Sequence, residues 1–166
     1  MKTNTRRLTA LAITISFAMI LSYLESRIPA FVAIPGIKVG LANIAVIFAL
    51  CKFGAKEAVT VSILRILLVS FLFGSPISLI YSLAGGVLSL VAMILLRRFT
   101  PLNEITVSVC GGVLHNIGQI GMASLMLSTN VILYYLPFLL FSGILAGIVV
   151  GIVAAILVKR VPISMK

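Results

Sequence analysis

Aspartate is absent from this 166-residue chain, and its three glutamates, Glu25, Glu57 and Glu104, are scattered along it. No carboxylate pair is therefore available to hold Mg²⁺ against a diphosphate or to run acid and base work on a glycosidic bond. Neither an HExxH run nor a Cys/His cluster offers a zinc site, and no GxxxxGK[ST] loop serves P-loop hydrolysis of ATP. A carboxylate relay for protons or sodium, the usual engine of a self-powered transporter, is missing from the apolar runs, and His115 alone is a thin relay. Cys51 and Cys110 stand singly, with no CxxC and no metal-ligand spacing. No catalytic site, metal or cofactor is expected.

What the chain has in quantity is apolar surface. Hydrophobic residues make up 61% of it, charged residues 10%, and the mean hydropathy is +1.28. One aqueous core cannot absorb that much, whereas spans of roughly 20 apolar residues account for nearly all of it. The expected fold is an all-α membrane protein, a single integral membrane domain over residues 1–166, built as a compact bundle of six transmembrane helices. The spans read as Leu8 to Leu24, Val39 to Phe53, Ala55 to Phe73, Pro76 to Leu96, Ile105 to Leu127, and Val131 to Val158. The second is short for a crossing unless it tilts or extends through Gly36. The last has room for an interfacial turn near Tyr134, Tyr135 and Pro137. Lys2, Arg6 and Arg7 ahead of Leu8 resemble a signal peptide, but Ser22 to Arg27 offers no small-x-small cleavage site, so a retained first span is expected.

The net charge of +10 does not point to nucleic acid, because the basic residues punctuate apolar runs instead of gathering on one solvated face. Between the spans, Lys2, Arg6, Arg7, Lys52, Lys56, Arg97, Arg98, Lys159, Arg160 and Lys166 fall on one side, and only Arg27 and Lys38 fall opposite. The positive-inside rule then puts both termini in the cytoplasm of a multi-pass protein in a bacterial cell membrane. Most connections are a few residues long, as at Gly54 and at Gly74 to Ser75, so neighbouring helices are antiparallel and in contact. The exception is the outward segment Glu25 to Lys38, which carries Pro29, Pro35 and Gly36 and is too apolar to float freely.

Two stripes of small residues stand out. Gly143, Gly147 and Gly151 form a double GxxxG on the last helix, a packing feature that lets a neighbouring backbone approach closely. On the first helix Ala10, Thr14, Ala18 and Ser22 recur every four residues, and the face they make serves either internal packing or docking of a separate membrane subunit.

Arg65 is the costly residue. It lies about 15 Å into the third span, near the midplane, where a lone arginine costs on the order of 3 kcal/mol by insertion scales. His115 is equally deep in the fifth span; Gly111, His115 and Gln119 share one face, with Gly112 and Asn116 one position round. Asn43, Tyr23, Glu25, and Ser78, Tyr81, Ser82, Gly85 and Gly86 of the fourth span fall toward the same outer half. These groups either line an outward-open pocket or form a purely structural network in which Arg65 pairs with Glu25. As a pocket, Arg65, His115, Asn116, Gln119, Asn43 and Tyr81 would bind a small molecule, and the five guanidinium donors favour a carboxylate or phosphate, with Arg27 and Lys38 adding positive charge.

The run Glu25-Ser26-Arg27-Ile28-Pro29, the run Ile34-Pro35-Gly36-Ile37-Lys38-Val39-Gly40-Leu41-Ala42-Asn43, the Arg65 helix, Gly85-Gly86 and Gly111-Gly112-Val113-Leu114-His115-Asn116 together resemble the Gx transporter family over nearly the whole chain. That family often carries the label heptaprenyl diphosphate synthase component I. It is similar to the S components of energy-coupling factor (ECF) transporters, six-helix membrane proteins that bind vitamins or related compounds from outside. The resemblance implies a substrate-capturing subunit of an ECF-type importer, with Glu25, Arg27 and Lys38 in a gating loop. It also implies that Ala10, Thr14 and Ala18 dock a coupling membrane subunit served by ATPase subunits, although Thr14 departs from the alanine of the usual AxxxA face. The prenyl synthase label conflicts with the missing aspartates, since all-trans prenyl synthases hold Mg²⁺ and diphosphate on aspartate-rich motifs. The alternative is a non-catalytic membrane accessory protein of isoprenoid or quinone metabolism.

Overall fold

A computed structural model describes residues 2–27 and 40–162, and over them the expected all-helical architecture is found. Six α-helices follow one another: α1 (Lys2–Arg27), α2 (Asn43–Lys52), α3 (Ala55–Phe73), α4 (Pro76–Phe99), α5 (Glu104–Leu127) and α6 (Leu136–Arg160). A 3-10 turn at Val131–Tyr135 leads into α6, where the aromatic pair and Pro137 had suggested one, and no strand occurs among the described residues.

Local chemistry fixes the boundaries. Gly54 separates α2 from α3 at φ 113°, a conformation that side-chain-bearing residues rarely adopt. Ser75 caps α4 by accepting from the Ser78 amide at 3.2 Å, with Pro76 in the first turn where no amide proton is needed. Asn103 caps α5 in the same way, accepting from the Thr106 amide at 2.8 Å. These short punctuated joints set α2 to α6 antiparallel, each packed on the next along the chain, and α1 packs against both α2 and α3.

α2 is the axis of the molecule. Every residue from Asn43 to Leu50 is buried, and the helix touches α1, α3, α4, α5 and α6. An apolar surface all round is what such a position requires. The other five helices surround it in the order α1, α3, α4, α5, α6, each packed on the next, but α1 and α6 do not pack on each other. The ring is therefore open at one seam.

The expected second span is corrected here. The helix begins at Asn43, not at Val39, because Gly40 takes φ 95° and Leu41–Ala42 form a turn; Val39 itself lies outside the described residues. Ten helical residues reach about 15 Å, half of a hydrocarbon core. Glu25 and Arg27 also belong to α1, not to a loop, so the first helix runs one turn further than Leu24.

The polarity is inverted relative to a water-soluble bundle. Ser62, Arg65, Ser82, Ser89, Ser108, His115, Asn116 and Gln119 are buried, while Leu8, Ile20, Phe71, Leu125, Tyr134 and Phe141 are exposed. Residues Thr5–Arg27, Pro76–Phe99 and Val131–Arg160 are each long and apolar enough to cross a bilayer. α3 and α5 are of similar length, 19 and 24 residues, but spend part of it on the buried polar groups.

Candidate functional site

Arg65 projects from the middle of α3 toward α1 and α2 and is 5% exposed. Its Nη1 donates to Ser22 Oγ of α1 at 3.3 Å, and its Nη2 donates to Asn43 Oδ1 at the start of α2 at 3.1 Å. Ser22 and Glu25 are three apart on α1 and so share a face. Glu25, likewise buried, supplies Arg65 with electrostatic attraction and accepts a hydrogen bond from the Gly40 amide. Charge and counter-charge are thus both buried and within electrostatic reach of each other, an arrangement in which losing one leaves the other uncompensated. Arg65 Nε is buried and has no hydrogen-bond partner among the described residues.

Gly40 is the meeting point of several helices. A Cβ there would lie 3.2 Å from Asn43 Nδ2 and 4.0 Å from His115 Cδ2, so α5 reaches the same spot as α2. Behind His115, Gly85 of α4 lets the two helices close: a Cβ at that position would stand 2.7 Å from the His115 carbonyl oxygen and 2.8 Å from Gln119 Cγ. Arg65, Asn43, Ser22, Glu25 and His115 therefore converge around Gly40, with Gln119 against Gly85.

Two candidates face elsewhere. Asn116 turns to α6, where its Nδ2 donates to the Leu139 carbonyl at 2.7 Å. Tyr81 packs in an apolar cluster with Ile120, Ala123, Ile132 and Leu139. The α5–α6 contact beside Asn116 is built on the double GxxxG: Cβ atoms at Gly147 and Gly151 would stand 2.6 Å from Val109 Cα and 2.7 Å from Ile105 Cα. Of the gating residues, Glu25 belongs to the buried cluster, Arg27 is the exposed last residue of α1, and Lys38 lies outside the described residues.

The small-residue stripe of α1 divides. Ala18 and Ser22 are buried inside the bundle, whereas half-buried Ala10 and buried Thr14 border the open seam between α1 and α6. That seam is a groove of about 890 Å³ with Ala45 and Phe48 of α2 as its floor and Leu157 and Val161 as its far wall. Sequence spacing carried no sign of it, since it arises from two helices far apart in the chain failing to meet. Ser22 was legible only as a small residue; its spacing of three from Glu25 is the signal that marks it as part of the polar cluster.

The carboxylates are dispersed in space as in sequence. Glu57 pairs with Arg7, Glu104 pairs with Arg97 at 3.4 Å, and Glu25 is engaged at Gly40. No group of three or more His, Cys, Asp or Glu side chains suited to a metal ion occurs among the described residues.

A family model described as heptaprenyl diphosphate synthase component I matches residues 14–157. No curated protein and no solved structure matches the chain.

Proposed function

The chain belongs to the heptaprenyl diphosphate synthase component I family, and on that premise we propose that it is a non-catalytic membrane accessory protein of isoprenoid metabolism. A first component implies a second, and the partner is a synthase subunit that carries the catalytic residues. One observation carries the non-catalytic part: the only three carboxylates of the chain are held at separate places by Arg7, Arg97 and Gly40. No two of them are placed to share a Mg²⁺ bridging to a diphosphate. The bundle sits in the cell membrane with its six helices embedded and its basic end, at the start of α1 and the end of α6, toward the cytoplasm where soluble diphosphates are made.

The test is prenyl diphosphate synthesis by the partner synthase with and without this chain in membranes. Product yield or chain length is expected to fall when the chain is left out. Unchanged synthesis, together with co-purification of two ATPases and a coupling membrane protein, supports import instead.

Family membership supports this accessory reading better than the ECF importer suggested by resemblance. Ligand capture keeps one specific observation in its favour, the buried Arg65 Nε with no hydrogen-bond partner among the described residues, a donor suited to a ligand oxygen. In that reading Arg65, Asn43, His115 and Gln119 hold a polar or anionic small molecule. Native mass spectrometry of the purified chain and of Arg65→Gln decides it: a co-purifying small molecule lost with the substitution supports capture, and an unchanged ligand profile removes Arg65 from the role.

A further inference from the structure

The open seam between α1 and α6 has the form of a seat for one lipid chain. Its walls are Ala10, Ile13, Thr14 and Phe17 on one side and Leu157 on the other, over a floor of Ala45 and Phe48. The volume, about 890 Å³, falls among cavities that enclose small-molecule ligands, which run from about 300 to 1,000 Å³. Thr14 spends its hydroxyl on the Ala10 carbonyl at 2.8 Å, so the middle of the groove presents methyl groups and not a donor. Ala10 and Thr14 are small enough to leave the channel open, and neither α1 nor α6 contributes a side chain that closes it.

The charge is at one end only. Thr5, Arg6 and Thr9 line the groove at the start of α1, and Val161, directly after Arg160, lines it at the end of α6. Arg7 is committed to Glu57, but neither Arg6 nor Arg160 makes an ion pair among the described residues. An apolar channel with the Arg6 guanidinium at its mouth complements a molecule with a single long hydrocarbon chain and a compact anionic head.

Resting on the accessory reading above, we propose that this groove holds the prenyl diphosphate itself: the isoprenoid chain lies between α1 and α6 on α2, and the diphosphate sits at Arg6 on the basic end. The chain would then draw the growing, increasingly insoluble product from the synthase into the membrane. The buried Arg65 cluster, which opens on a different set of helices, takes no part.

Native mass spectrometry of the full chain in nanodiscs, with heptaprenyl diphosphate as probe, tests this. One molecule per chain is expected, with retention weakened about tenfold by Arg6→Gln through loss of a charge-assisted contact. Retention is abolished by Ala10→Phe, which fills the groove, and is unchanged by Arg98→Gln, at an exposed position on α4 away from the groove. Ile13→Trp, at an exposed position on the groove wall, repeats the obstruction without touching the core, and helix content by circular dichroism confirms that both variants fold. Retention by both obstructed variants overturns the proposal, as does displacement of the probe at equal concentration by dioleoyl phosphatidylglycerol or by inorganic diphosphate. Cross-linking from Ile13→Cys to a helix of the partner subunit while the probe stays bound also overturns it. A chain that binds the probe but leaves synthase output unchanged defeats the accessory reading and upholds the groove; one that raises output without binding does the reverse.

Discussion

Arg65 Nη2 donates to Asn43 Oδ1 over 3.1 Å, joining the middle of α3 to the first residue of α2. This bond and the one to Ser22 make the guanidinium a three-helix tie. Arg65→Ala is expected to destabilise the protein by about 3–5 kcal/mol, because Glu25 then stays buried without its counter-charge. Glu25→Ala combined with Arg65→Ala should cost less than the sum of the two single changes, which a double-mutant cycle of denaturation in mixed micelles measures. Additive losses would show that the two groups do not depend on each other.

The position of Gly40 predicts a local penalty. Gly40→Ala puts a side chain at φ 95° and within 3.2 Å of Asn43 Nδ2, and it is expected to cost about 1–3 kcal/mol. Gly54→Ala, at φ 113° but with only Glu57 Oε2 at 3.4 Å, should cost less. Equal losses at the two glycines would locate the penalty in the backbone alone.

Glycines inside helices separate in the opposite sense. Gly147→Ala places a methyl group 2.6 Å from Val109 Cα and forces α5 and α6 apart, with an expected loss of about 1–3 kcal/mol. Gly121→Ala meets nothing within 4 Å and should stabilise α5 by about 0.5–1 kcal/mol. Thermal midpoints of the two variants, measured side by side in one detergent, are expected to move in opposite directions.

Asn116→Leu removes the donor to the Leu139 carbonyl. The expected loss is about 0.6–1.7 kcal/mol, the range for hydrogen bonds between membrane helices, with no change in any ligand that Arg65 holds. A loss of ligand with unchanged stability would return Asn116 to the binding residues.

How far the sequence reaches is plain from α3 and α2. The bounds of α3 follow from Gly54 at one end and Gly74, Ser75 and Pro76 at the other, so Ala55 to Phe73 was readable residue by residue. α2 was drawn too long, because hydropathy does not report the backbone angle of Gly40 that starts the helix late. Glu25 was placed in a loop on account of the charges and Pro29 that follow it. Burial against Arg65 and the Gly40 amide accounts for its place in α1, and its pairing with Arg65 was one of two open alternatives. His115 and Asn116 illustrate the remaining gap. They are neighbours on α5, about 100° apart around the axis, and periodicity alone cannot say that one meets Gly40 while the other meets α6.

The seam that leaves α1 and α6 unjoined bears on how the molecule is made. From α2 onward each helix packs on the one synthesised just before it, and α1 is secured by α2 and α3 alone. No contact has to wait for the last helix to find the first, so loop-closure entropy over the full length of the chain is never spent. That topology lets the bundle be built in chain order, with α6 completing its contacts on α5 and α2, both earlier in the sequence.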